Sequence, residues 1–274
     1  MRCGGVWPIW GLSPHVGLPN DGEKRIAGGR VERTRGSPSK RGWLMRKKRA
    51  VAIDGPAAAG KSTVARILAE KLGYTYIDTG AMYRAVTLKA LRLGVDCEDG
   101  EMLGELARTS RISFSVDPHG RQRVWLDDQE VTEAIREPEV SAHVSQVAAV
   151  PQVRRWLAAK QRAMAERGAV VVEGRDITTH VLPDAEVKVY LDARFEERVR
   201  RRWLELKAKG HQLSWESVAE EISMRDKLDS ERAVAPLRVA EDALRIDTTQ
   251  LRPEQVVELV LQECQRRLGK WCTG

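Results

Sequence analysis

The stretch Ala50-Val51-Ala52-Ile53-Asp54-Gly55-Pro56-Ala57-Ala58-Ala59-Gly60-Lys61-Ser62-Thr63-Val64 decides the fold. Its first four residues form an apolar run of strand character, and Val64, Ile67, Leu68 and Leu72 then fall on one face of a helix over 63–72. Between them, Gly55 to Ser62 is a complete GxxxxGK[ST] loop in the strand, loop, helix setting that this motif requires. Glycines let the backbone curl so that successive N–H groups point at one centre, where the helix N-terminus adds partial positive charge. Lys61 reaches the β- and γ-phosphates of a nucleotide, and Ser62 offers its hydroxyl to Mg²⁺. A nucleotide-phosphate site is therefore expected at Gly55, Pro56, Ala57, Ala58, Ala59, Gly60, Lys61, Ser62 and Thr63.

Outward from this loop, strand and helix alternate. Tyr74 to Asp78 reads as a strand ending at Thr79-Gly80, and Ala81 to Leu93 as a helix stopped by Gly94. Ala169 to Glu173 and Glu186 to Asp192 are largely apolar runs of strand length, as parallel strands covered on both faces should be. Ala243 to Asp247 is a last short strand, and Glu254 to Leu268 a closing helix. This alternation over 50–94 and 169–268 predicts an α/β fold, a doubly wound parallel sheet with helices on both faces and ligands at the carboxyl ends of its strands. Residues 95–150 depart from it. Arg111 to Val116 and Arg121 to Leu126 alternate with period two around Asp117-Pro118-His119-Gly120, which predicts a small inserted subdomain with antiparallel strands. Helices are expected over about 138–148 and from Pro151 to Glu166.

The 274 residues carry a net charge of +7, but the charge is uneven. Residues 1–49 hold 12 Lys/Arg and 3 Asp/Glu, a net +9, which leaves −2 for the remainder. A nucleic-acid surface is therefore not expected on the folded part. Residues 1–44 are dense in glycine, proline and arginine, with Trp7, Trp10 and Trp43 isolated, and should be a disordered basic extension. Met45, directly before Arg46-Lys47-Lys48-Arg49, reads as the start of translation, a reading that the intact mass of the native protein checks. RNA binding through the basic extension is the competing function class. No apolar run approaches the length of a membrane span, and Cys3, Cys97, Cys264 and Cys272 lack metal-binding spacing, which fits a reducing, cytoplasmic setting.

Kinases, GTPases, ATPases and transporters all use such a loop. A GTPase would carry an NKxD-type guanine signature, which the sequence lacks. The arginines narrow the choice further. Arg84 follows the second strand, Arg154 lies early in a helix, Arg175 sits just past a strand end, and Arg225 and Arg232 bracket a polar stretch. Arg198, Arg201 and Arg202 share one helical face, which also suits a solvated surface paired with Glu196, Glu197 and Glu205. Phosphoryl transfer onto an acceptor that is itself phosphorylated brings two polyanions together, and dispersed guanidinium groups neutralise both.

Gly55 to Thr63, Asp78-Thr79-Gly80-Ala81-Met82-Tyr83-Arg84, Ser145-Gln146-Val147-Ala148, Val153-Arg154, Glu173-Gly174-Arg175-Asp176 and Arg225 to Leu237 together resemble the bacterial cytidylate kinases, from about residue 48 to 268. The resemblance implies direct, in-line transfer from ATP to CMP or dCMP with Mg²⁺. The sequence shows no exposed coiled-coil or long edge-strand pattern, so a monomer is expected, with no nucleic-acid partner for the core and no membrane partner. It implies that Ser145, Arg154 and Asp176 read the cytosine edge, that Arg84 and Arg175, joined by Arg232, hold the acceptor phosphate, and that Arg225 and Asp229 meet the sugar. Thr79 belongs to the same acceptor set. Arg198, Arg201 and Arg202 match the start of a short lid over ATP, and Lys61, Arg175 and Arg201 are the implied catalytic cations. Glu173 is expected either to hold Mg²⁺ through water, beside Ser62, or to serve as a strand-end acid that caps the next turn. The expected division is a kinase core over 45–94 and 169–268 with a lid at about 198–232, an acceptor-binding insertion with helices over 95–168, and a tail over 269–274. A kinase for UMP or AMP is the nearest rival.

Overall fold

All five side chains of β1 (Ala50–Asp54) are buried in the computed structural model, which describes residues 49–118 and 120–269. The readings made for 1–44, for Met45 and for 270–274 lie outside the described residues. β1 lies between β6 (Val170–Gly174) and β7 (Val187–Asp192), with β2 (Thr75–Asp78) beyond β6 and β8 (Leu244–Asp247) beyond β7. Every pairing in this five-stranded sheet is parallel. Successive strand side chains point to opposite faces. Val51 and Ile53 accordingly join a core built with α1 (Lys61–Leu72) and α8 (Pro253–Leu268), whereas Ala50 and Ala52 join one that includes Ala158 and Ala165 of α5 (Pro151–Ala165). Full burial of a side chain the size of Val51 or Ile53 contributes about 1.5–3 kcal/mol, and that of a single methyl such as Ala52 about 0.8 kcal/mol. The sheet is thus covered on both faces, as the apolar runs predicted.

The third core lies in the insertion. α2 (Thr79–Arg92), α3 (Gly100–Thr109), α4 (Pro138–Ala149) and α5 enclose Met82, Leu103, Val144 and Leu157 together with Val124 and Leu126 of a second, antiparallel sheet. That sheet consists of β3 (Ile112–Val116), β4 (Gln122–Leu126) and a third strand, β5 (Gln129–Glu130), which the period-two pattern did not reveal because it is only two residues long. α6 (Phe195–Ala208) and α7 (Trp215–Glu231) form a helical hairpin packed through Val199, Leu206, Val218 and Ile222.

Three local outcomes differ from the sequence reading. α2 begins at Thr79 rather than Ala81, because the Asp78 carboxylate caps it by accepting from the Ala81 N–H at 2.9 Å. α3 was not anticipated, although Asp99 caps it and Leu103, Leu106 and Ala107 supply its apolar face. α7, read as a polar stretch, is a 17-residue helix started by the Ser214 cap. Only Val218, Ile222 and Asp229 are buried along it, too few apolar positions to give a visible period.

Two backbone positions in the phosphate loop give opposite predictions. Gly55 has φ 152°, and a Cβ there would stand 2.0 Å from the Leu191 carbonyl oxygen, so Gly55→Ala must displace β7 or the loop and is expected to lower Tm sharply. Ala58, in contrast, holds φ 57° without being glycine. The left-handed region costs an L-residue about 1–2 kcal/mol, partly offset by the lower chain entropy of alanine. Ala58→Gly is therefore expected to raise Tm, by about 2–4 °C per kcal/mol gained for a domain of this size. A thermal melt of each variant checks the pair, and a lower Tm for Ala58→Gly contradicts the assignment.

Candidate active site

A cleft of about 970 Å³ opens beside the phosphate loop, lined by Ala57 to Val64 and by Arg84, Arg136, Arg175, Arg202 and Arg225. The loop joins the end of β1 to α1, and Gly60, with φ 92°, turns the chain into the first helical N–H groups. Lys61 is buried, and its Nζ donates to the Pro56 carbonyl at 2.7 Å. Burial, then the Arg175 guanidinium, pushes the Lys61 ammonium down to about 7. Gly55 and Pro56 support the loop from behind rather than lining the cleft.

Glu173, at the end of β6, accepts from the Tyr76 hydroxyl and is bonded by the Ser62 hydroxyl. Burial, then Asp78, raises its carboxyl to about 6 while Lys61 opposes the shift. Ser62 and Glu173 therefore bring a hydroxyl and a carboxylate together at the loop. These are hard oxygen ligands of the kind Mg²⁺ takes while keeping most of its waters and phosphate ligands, so the residues fit that ion. Thr79, by contrast, donates its hydroxyl to the Glu173 carbonyl at 2.6 Å and does not line the cleft.

The cations of the cleft away from the loop are crowded. Arg84 donates to the Ile135 carbonyl at 3.1 Å and to the Ser141 hydroxyl at 2.9 Å, and Arg202 reaches the same hydroxyl at 3.3 Å. Burial, then Arg225 and Arg202, pushes Arg84 down to about 9; burial, then Arg175, brings Arg225 to about 10. The buried Nε of Arg225 has no hydrogen-bond partner among the described residues. So many guanidinium groups facing one space favour a polyanion there.

Behind the cleft wall lies an alternating chain of charges. Arg175 Nε donates to Asp229 at 2.8 Å, Arg232 stands 3.6 Å from both Asp229 and Asp176, and Asp176 accepts from Arg154. Arg154 also donates to the Ala148 carbonyl at 3.0 Å, one turn beyond Ser145 on α4, and lies over the Tyr83 ring. Ser145, Arg154, Asp176, Asp229 and Arg232 are all buried and do not line the cleft. Arg232 is bonded twice to the Ala235 carbonyl, at 2.8 and 2.6 Å, and so sits with the Arg154 and Asp176 pair rather than among the cleft arginines.

The three arginines Arg198, Arg201 and Arg202, expected at a lid, separate in their surroundings. Arg201 lines the cleft, bonded to Glu197 at 2.8 Å and to Thr248 at 3.0 and 2.6 Å, and Arg202 joins it. Arg198 is buried and bonded to the Ala57 and Ala193 carbonyls and to Asp226, so the solvated-face reading fails for it. Sequence reasoning missed Ser141, Arg136, Tyr76 and Asp226. Of these, Asp226 alone carried a signal, its place one helical turn before Asp229 in the Arg225 to Arg232 stretch.

The family model described as cytidylate kinase matches residues 51–266. The cytidylate kinase of Bacillus licheniformis is 52% identical over 226 residues, covering 82% of this chain and 100% of that one. That of Geobacillus kaustophilus is 53% identical over 225 residues, again 82% and 100%. Among solved structures, a shikimate kinase from Acinetobacter baumannii matches with a TM-score of 0.40 and 19% identity, covering 81% of this chain and 96% of its own.

Proposed function

The chain belongs to the cytidylate kinase family, and from that premise we infer that its cleft moves the γ-phosphoryl group of ATP onto CMP or dCMP, giving CDP or dCDP and ADP. The observation that carries this reading is the pairing of an amide-rich loop and Lys61 with a crowd of half-buried arginines, Arg84, Arg175, Arg202 and Arg225, in a single cleft. The loop amides and Lys61 hold the β- and γ-phosphates; Arg84 and Arg175 hold the acceptor phosphate and align it for in-line attack. Arg201, next to Gly60, adds charge where the phosphoryl group passes. The acceptor phosphate is already anionic, so no side chain need act as a strong base. Ser62, and Glu173 through water, would hold Mg²⁺, which would supply positive charge to neutralise the transferring phosphates.

Beyond the phosphates, Arg225 meets the sugar from the cleft itself, while Arg154 and Asp176 with Ser145 read the cytosine edge, and Asp229 the sugar, once the cleft wall that covers them opens to the acceptor. The helical hairpin of α6 and α7 is the lid, and residues 95–168 are the acceptor-binding part. One chain, working as a monomer in the cytoplasm, carries both ends of the reaction. A coupled ADP-release assay across CMP, dCMP, UMP and AMP tests the reading: strong release with the cytosine nucleotides is expected, and release independent of CMP and dCMP overturns it.

Lys61 also sets a proton balance. A bound triphosphate places negative charge beside an ammonium held near 7 and raises that value, so nucleotide binding takes up protons above pH 7. At pH 8 the Glu173 carboxyl, at about 6, is already ionised and does not offset this. ATP binding at pH 8 is expected to absorb a large part of one proton, read from the dependence of calorimetric heat on buffer ionisation enthalpy. Zero uptake, or release, contradicts it.

A further inference from the structure

Two side chains tie the helical hairpin to the phosphate loop through one residue of that loop. On α7, Asp226 accepts from the Ala57 N–H at 3.3 Å with one carboxylate oxygen and from Arg198 with the other. Arg198, on α6, donates to the Ala57 carbonyl at 3.3 Å and, through Nε, to the Ala193 carbonyl at 3.0 Å. Both faces of the Ala57 residue are thus held from the hairpin. Three residues further along α7, Asp229 accepts from Arg175 and stands 3.6 Å from Arg232, while Arg225 faces the cleft. One helix therefore touches the loop at Asp226 and the acceptor-side guanidinium groups at Arg225 and Asp229.

We propose that Asp226, braced by Arg198, is a positioning residue that couples the two nucleotide sites, so that CMP and ATP each tighten the other's binding. The proposal rests on the reading of the cleft given above. CMP orders Arg175 and Arg225, and these fix the register of α7 through Asp229. The helix then sets the Ala57 peptide through the Asp226 carboxylate. At 3.3 Å the bond to Ala57 is longer than the usual ~2.9 Å, which leaves it room to shorten as the helix settles. A charge-assisted bond to a backbone N–H is among the stronger hydrogen bonds, and the Arg198 guanidinium keeps the carboxylate aimed at it. Reciprocity requires that ATP improve CMP binding by the same factor.

The experiment is calorimetric titration of the full chain with a non-hydrolysable ATP analogue, in the absence of CMP and at saturating CMP, together with CMP alone. The wild-type protein is expected to bind the analogue about 5-fold or more tightly with CMP present. Asp226→Asn keeps the shape and removes the charge; it should bring that ratio to about 1 while each nucleotide alone binds within about 3-fold of wild type. A ratio unchanged in the variant overturns the proposal. So does loss of analogue binding without CMP, which would make Asp226 part of the phosphate site itself. A wild-type ratio of 1, with both nucleotides binding, overturns it too, whereas binding of neither nucleotide defeats the functional reading instead. Should Asp226→Asn fail to fold, Arg198→Lys keeps the cation, gives up the fork geometry and reads the same ratio.

Discussion

Lys61→Met is expected to lower kcat by about 10³, the effect of about 4 kcal/mol of lost transition-state charge stabilisation. The ammonium is buried against the Pro56 carbonyl of the loop, and among the described residues no other lysine lines the cleft. Arg175, Arg84 and Arg225 remain in the variant, so KM for CMP should change little. The stability control has a definite sign. Lys61 titrates near 7 in the folded protein against about 10.5 otherwise, so the unfolded chain binds more protons between these values and stability rises with pH across them. The buried charge therefore costs stability below that window, and methionine removes the cost. At pH 7.5 the melting temperature should hold or rise. A variant keeping more than a tenth of wild-type kcat, or one that loses activity only by unfolding, would refute the role given to Lys61.

Asp176→Asn carries the second large effect, and it falls on specificity. Cytosine presents an amino donor at the position where uracil presents a carbonyl acceptor. A carboxylate accepts from the first and repels the second, whereas an amide can turn its NH₂ towards the second. The expected loss in kcat/KM for CMP is about 2–4 kcal/mol, or about 30- to 1,000-fold, with a smaller loss for UMP, so the CMP to UMP preference narrows. An unchanged preference would remove Asp176 from base recognition. Arg154→Ala should lose as much activity on CMP, but it also leaves Asp176 with only Arg232, 3.6 Å away, inside a buried site. Breaking such a pair costs about 3–5 kcal/mol of stability, so its kinetics are interpretable only beside a melt. The asparagine substitution keeps the size but takes the carboxylate from the buried Arg154, so its kinetics too are read beside a melt, and the CMP to UMP ratio, which a uniform loss of stability does not move, carries the test.

The sheet was legible because β1 and β6 are fully buried and β7 largely so, with aliphatic residues at most positions, and the loop because its glycines and Lys61 have few structural alternatives. α7 was illegible for the opposite reason: beside Val218 and Ile222, the residues it turns to its neighbours include Asp226 and Asp229, held by ion pairs with Arg198 and Arg175, and two apolar positions leave no hydrophobic period. The same physics divides the site. Arg84 and Arg175 were found as isolated cations beside strand ends, but Ser141, which accepts from Arg84 and Arg202 together, is one hydroxyl on an otherwise ordinary helix. Its partners are distant in sequence, so no local pattern marks it. Arg198 was grouped with Arg201 and Arg202 by helical spacing alone, and spacing does not say that a side chain will be spent on a backbone carbonyl.

The order of the parallel ladder has a consequence for how the polypeptide is made. Ala50 pairs with Val170 and Val51 with Val187, so neither neighbour of the first strand exists until the ribosome has passed the whole insertion. During that interval the Ala50–Asp54 segment has an unpaired edge on each side, the condition that makes nascent chains sticky and slow to mature. The insertion, whose α3, β3, β4 and α5 contacts are nearer in sequence, can consolidate first and wait for its host.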